Sequence, residues 1–173
     1  MVTYIAWLRG INVGGKNRLP MKGLVATLEG IGLQNVRTYI QSGNVAFEAR
    51  KRSCVGLGEE VAAAVAEQHG LDVPVLVLTR GELEAALEAN PYPDGEGKAV
   101  HFSFLSTRPR QADLAALAAV ATASESFELL GMVFYLHAPD GVGRSKLAAN
   151  VERCLGVPAT ARNLNTVLRM VEL

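Results

Sequence analysis

The sequence has no surplus of either charge, few cysteines and no long apolar run. Seventeen Lys and Arg balance seventeen Asp and Glu. The chain thus has no overall field to draw in nucleic acid or a membrane, and such a partner must be met by a local patch. No apolar stretch approaches the ~20 residues that cross a bilayer. The opening Met1-Val2-Thr3-Tyr4 lacks the charged start and small-residue cleavage site of a secretory signal, so a cytoplasmic location is expected. The two cysteines, Cys54 and Cys154, belong to no CxxC or Cys/His cluster with metal spacing. Both are expected as small buried or half-buried side chains without a disulfide. No metal or cofactor is expected.

Catalytic signatures are also missing. No segment fits the GxxxxGK[ST] phosphate loop or the GxGxxG dinucleotide fingerprint. Paired carboxylates are absent from the glycine-rich loops described below, where Asp140 is the nearest acid. That argues against paired-acid hydrolysis and a carboxylate-held Mg²⁺. His69, His101 and His137 lie at element ends and read as structural or solvated. Ser42 and Ser145 have no sequence-adjacent His.

What is present is an ordinary globular composition, 49% hydrophobic and 20% charged, in a chain long enough to bury about 70% of its unfolded surface. Val2–Leu8 is nearly all apolar, as a central strand should be. Pro20 suits the first turn of a helix, and Met21, Leu24, Val25 and Leu28 repeat on one helical face. Val36, Thr38 and Ile40 alternate as a strand, Gln41–Asn44 makes a turn, and Val45–Phe47 returns. A helix over about 57–69 and a strand over 73–78 complete βαββαβ, the split βαβ of a ferredoxin-like half. Thr79-Arg80-Gly81-Glu82 is a capping box.

The pattern then restarts. Strand 100–105, helix 111–121, a hairpin of 127–130 and 132–137 about Gly131, and helix 145–155 give βαββα. A last helix carrying Leu164, Val167, Leu168 and Val171 stands where the first half has a strand. The expected fold is therefore α+β, two ferredoxin-like halves with antiparallel sheets. The division is 1–79 and 80–173, and the second half is imperfect with an extra C-terminal helix.

Four clusters carry the chemistry. Arg9-Gly10-Ile11-Asn12-Val13-Gly14-Gly15-Lys16-Asn17-Arg18 joins a strand to a helix. Its glycines permit close ligand approach and positive φ. A helix start offers free N–H groups, and Arg9, Lys16 and Arg18 supply cations. Gln41-Ser42-Gly43-Asn44 is the second. Right-handed crossovers make strands one and two parallel, so these two clusters are expected at one sheet edge. The third is Gly141-Val142-Gly143-Arg144-Ser145-Lys146, with Ser145 as a cap and Arg144 and Lys146 as anion ligands. The fourth is Thr160–Thr166, where Arg162, Thr166 and Arg169 are read as one face of the last helix. Each also has a plain reading as a turn, a cap or a solvated basic rim.

These clusters lie in longer stretches: Tyr4–Asn17, Thr38–Val45, Gly143–Leu147 and Arg162–Val167. Together they resemble the bacterial family catalogued as domain of unknown function 1697, over nearly the whole chain. That family usually has an aromatic between the two asparagines where this chain has Leu164. The resemblance implies an α+β fold and a bacterial cytoplasmic setting, and no activity.

The expected function is binding of a phosphate-bearing small molecule, such as a nucleotide, or of a nucleic-acid backbone. Its residues would be Arg9, Asn12, Gly14, Gly15, Lys16, Gln41, Ser42, Asn44, Arg144, Ser145, Lys146, Arg162, Asn163 and Asn165. The alternatives are an enzyme acting on a phosphorylated small molecule, and a structural protein whose polar loops join the halves. An open basic groove, a closed pocket with a proton-transfer group, or buried motif residues would separate the three.

Overall fold

The computed structural model describes residues 1–173. The chain divides into two compact units, residues 1–85 with 169–173, and residues 86–168. The first half runs β1 (Val2–Leu8), α1 (Met21–Gly30), β2 (Gln34–Tyr39), β3 (Asn44–Ala49), α2 (Cys54–His69), β4 (Val75–Thr79) and α3 (Arg80–Glu88). The second runs β5 (Val100–Leu105), α4 (Leu114–Val120), β6 (Ser126–Leu130), β7 (Val133–His137), α5 (Lys146–Leu155), β8 (Ala159–Asn163) and α6 (Leu164–Glu172). Each half builds one four-stranded antiparallel sheet, ordered β2-β3-β1-β4 and β6-β7-β5-β8.

The apolar periods explain these elements. Tyr4, Ala6 and Leu8 on alternate positions of β1 join Val45, Phe47, Leu24, Leu28, Leu57, Val61 and Val65 in one core. Each such side chain contributes about 1.5–3 kcal/mol when fully buried. Ile5 and Trp7, pointing the other way, are buried too, which is why β1 reads as a continuous apolar run. The second half repeats the scheme with Phe134, Leu136, Leu117, Leu147, Val151 and Leu155. Edge strand β2 has a register shift between Gln34 and Arg37. Asn35 takes φ 50 there, and its amide donates to Glu48 at 2.8 Å. Such a bulge disrupts an exposed edge.

The structure alters several expectations. The second half ends in a strand and then a helix, so its order is complete. Sequence reading passes over β8 because Ala-Thr-Ala-Arg-Asn lacks an apolar alternation; only its pairing with His101–Leu105 makes it a strand. Arg162 lies in β8 and Thr166 is buried, so Arg162, Thr166 and Arg169 do not form one solvated helix face. Ile40 is not a strand residue but opens the turn at φ 50, and Asn44 begins β3. Helix α2 starts three residues early because Ser53 caps it, accepting from Gly56 N at 3.3 Å. The capping box forms as expected: Thr79 N donates to Glu82 Oε2 at 2.7 Å, and Glu82 N to Thr79 Oγ1 at 3.2 Å. Both cysteines are free thiols, Cys54 half-buried and Cys154 buried.

Candidate functional site

The first two clusters meet at one edge of the first sheet. Trp7 pairs with Asn44, so the end of β1 lies against the start of β3. Leu8 N donates to Gly43 O at 2.9 Å, and Arg9 N to Pro74 O at 3.0 Å. Gly43, at φ 77, is required by this contact: a Cβ there would stand 2.7 Å from Leu8 Cβ and 2.9 Å from Leu8 O. Strands β1 and β2, each antiparallel to β3, run in the same direction, which brings the two clusters to one edge as expected.

Asn12 ties the edge together. Its amide nitrogen donates to Gln41 O at 2.7 Å and to Leu19 O at 2.9 Å, and its oxygen accepts from Leu19 N at 2.8 Å. Asn17 Nδ2 closes the loop onto Gly10 O at 3.0 Å. A reverse turn at the tip returns Lys16 N to Val13 O at 3.0 Å. Gly10, Asn12, Gly14, Gly15 and Asn17 all have positive φ, conformations open to Gly and tolerated by Asn. The loop is therefore held in place by its own side chains. On this frame Arg9, Lys16, Arg18 and Gln41 are exposed, and Ser42 is half-buried. Lys16 and Arg18 make no ion pair. Asn44 is fully buried and donates to Tyr39 O at 3.1 Å, so it positions the turn instead of facing a ligand.

Two exposed aliphatic side chains share this edge, Val13 at 63% and Ile40 at 52% exposure. Sequence reading missed both as surface residues. Alternation with Val36 and Thr38 suggests a strand at Ile40, but β2 ends at Tyr39 and Ile40 stands in the turn at φ 50. A non-glycine residue in the left-handed region costs on the order of 1–3 kcal/mol, and a β-branched one is an outlier there.

The third and fourth clusters gather at an edge of the second sheet, near the start of β5. His137 at the end of β7 pairs with Val100, and Asn163 at the end of β8 with His101. Here most candidate residues serve the scaffold. Ser145 caps α5, accepting from Ala148 N at 3.0 Å, and its hydroxyl donates to the Glu125 carboxylate. Asn163 Oδ1 caps α6, accepting from Thr166 N at 2.9 Å. Asn165 N donates to Gly97 O at 3.4 Å, and its side chain lies against Gly97. Arg162 is half-buried and donates to Ala161 O at 2.9 Å. Burial pushes its guanidinium down to about 10. Arg144 and Lys146 remain exposed.

The clusters contain no carboxylate of their own, but the fold brings Glu125, 20 residues before Ser145 in the chain, against the third. Glu125 Oε1 also accepts from Thr122 N at 2.9 Å. Burial pushes its carboxyl up, but the bonds from Ser145 and Thr122 outweigh this and hold it below the usual range. Each histidine is engaged elsewhere: His69 with Thr27 Oγ1 at 2.8 Å, His101 with Lys98 O at 3.1 Å, and His137 against the Tyr92 ring. Burial lowers His101. No group of three or more His, Cys, Asp or Glu stands ready for a metal, and no helix is long and apolar enough to cross a membrane.

The fold is that of a solved structure, the conserved bacterial protein SP0830 from Streptococcus pneumoniae. It is 26% identical, with a TM-score of 0.70 over 99% of this chain and 97% of that one. No curated protein matches the chain. The model of the family described as "Protein of unknown function (DUF1697)" matches residues 1–135, spanning the loop edge of β1 and β3, and the chain belongs to that family.

Proposed function

We propose that the protein binds a phosphate-bearing ligand at the edge formed by residues 9–18 and 40–44. One observation carries this reading. The first half holds an elaborate, internally braced loop whose cations face solvent, and the second half builds the same sheet without it. Lys16 and Arg18, with Arg9, supply the charge, and Gln41 and Ser42 supply polar contacts. Asn12 ties the two segments together, and Asn44 holds the turn. Guanidinium and ammonium groups suit phosphate oxygens, and neither loop segment contains a carboxylate to compete for them. The exposure of Arg9, Lys16 and Gln41 favours a binding surface over the enclosed pocket expected of an enzyme on a small phosphorylated substrate. A bacterial cytoplasmic setting is part of this proposal, supported by the bacterial relative of the same fold.

The test is titration of inorganic phosphate and a nucleoside monophosphate into labelled protein, followed by NMR. Amide shifts should concentrate at Gly14–Lys16 and Gln41–Gly43 and vanish in the Lys16→Ala/Arg18→Ala double variant. Shifts confined to other regions, or none at millimolar ligand, would reject the assignment.

A further inference from the structure

The loop edge has features that a bare phosphate would not use. Val13 and Ile40 are both large, apolar and more than half exposed. They are the chain neighbours of Asn12 and Gln41, whose side-chain-to-carbonyl hydrogen bond joins the two segments at the edge. Ile40 keeps its side chain despite φ 50. The second half faces the same requirement at its β6–β7 hairpin and meets it with Gly131, at φ 59. A glycine or asparagine at position 40 would make the first turn as well, so the folding of the hairpin does not call for isoleucine.

We infer that the occupant of this edge is a single-stranded polynucleotide, with phosphates on Lys16 and Arg18 and exposed bases packed on Val13 and Ile40. This rests on the phosphate-binding reading above. Charge complementarity selects an anionic partner, because residues 9–18 and 40–43 contain Arg9, Lys16 and Arg18 and no acid. The aliphatic pair selects a partner with free apolar faces. A duplex keeps its base faces stacked inside and cannot offer them. Single strands can, and they bind proteins through a basic track combined with side chains packed on base faces, a role usually taken by aromatics and here by the flat aliphatic pair. An anionic membrane also joins charge to apolar matter. Insertion of Ile40, however, would carry the neighbouring Gln41 amide toward hydrocarbon, where an unpaired polar group is costly. Gln41 is better used against the hydrogen-bonding edge of an unpaired base.

The experiment uses the full chain and fluorescence anisotropy. The probes are a labelled oligothymidylate of about 12 nucleotides, within the usual span of such sites, and an abasic strand of the same length. The wild type should bind the base-bearing strand more tightly. Ile40→Gly should weaken that strand by roughly fivefold, the low end of what an aromatic platform gives, leave the abasic strand unchanged, and leave the melting temperature unchanged or higher. Val13→Ser should act in the same direction, independently of turn geometry. Equal wild-type binding of both strands would overturn the base contact while leaving the phosphate reading intact. So would an Ile40→Gly variant that binds both strands as the wild type does. Binding of a duplex as tight as of the single strand would also overturn it. Sedimentation with phosphatidylserine-containing vesicles that depends on Ile40, without strand binding, would transfer the edge to a membrane. Binding of neither strand at low salt would remove both readings together.

Discussion

The two halves of the molecule solve the same folding problem with the same bonds and then diverge at one edge. Leu8 N reaches Gly43 O at 2.9 Å in the first half, and Leu105 N reaches Met132 O at 2.9 Å in the second. Arg9 N reaches Pro74 O, and Ser106 N reaches Pro158 O, both at 3.0 Å. Ser53 caps α2 as Ser145 caps α5. Gly70 and Gly156 end those helices in the left-handed conformation. The divergence lies in residues 9–20, with five positive-φ residues, against residues 106–113, with none. It also lies in the turn 40–43 against the shorter Gly131-Met132. The second half shows that the scaffold folds without the longer loops. Their internal bracing is therefore best explained by what they present to solvent.

The largest effect that should separate the halves is steric. Gly43→Ala places a methyl group within 2.7 Å of Leu8 Cβ at a positive φ. It should cost about 3 kcal/mol in urea unfolding, combining overpacking with backbone strain. The equivalent acceptor in the second half is already a methionine, so Met132→Ala should cost well under 1 kcal/mol at this exposed hairpin position. Equal costs would mean that the two edges are not built alike.

A smaller effect concerns the brace. Asn12→Ala removes three hydrogen bonds and places alanine at φ 54. A loss of about 2 kcal/mol is expected, with faster hydrogen exchange at Leu19. Ligand binding should fall even where the protein remains folded. Unchanged Leu19 exchange would show that Asn12 does not hold the loop.

The smallest effect distinguishes the two serine caps by pH. Ser145 donates to Glu125, whose carboxyl is held below its usual range. A carboxyl lowered in the folded state stabilises the protein above its unfolded pKa, about 4.3. That contribution is lost as pH falls through the lower folded value. Ser145→Ala should therefore cost more at pH 7 than at pH 3, whereas Ser53→Ala should cost the same at both. Thermal melts of the two variants at these pH values check the difference. A Ser145→Ala cost independent of pH would contradict the pairing.

Much of this was legible in the sequence, for identifiable reasons. The strong periods of β1, α1 and β5 gave those elements. The split βαβ order, which makes β1 and β2 run in one direction, sufficed to bring Arg9–Arg18 beside Gln41–Asn44. Strand β8 was illegible because its residues are stabilised by pairing with β5 and not by an apolar pattern. Ile40 misled because its β-branched propensity yields to the four-residue turn required between Tyr39 and Asn44. Glu125 was hidden because its partner Ser145 lies far along the chain. The capping roles of Ser145 and Asn163 were open to reading from their positions. That they occupy these side chains, which the sequence equally suggested as ligands, needed the hydrogen bonds themselves.

We assign anion binding to the first half's loop and not to its counterpart. The second half supplies the control. Arg108 and Arg110 lie in the corresponding loop, where they line a shallow cavity with Leu155 and Val157. The deciding measurement is the salt dependence of single-strand binding for Lys16→Ala/Arg18→Ala and for Arg108→Ala/Arg110→Ala. The wild type, contacting two to four phosphates, should show log affinity falling with log salt at a slope of roughly −1.4 to −2.8. The first double variant should lose about 1.5 from the magnitude of that slope, and the second should bind as the wild type does. Equal losses in the two variants, or a loss confined to Arg108→Ala/Arg110→Ala, would mean that the first half's loop is not the anion-binding edge.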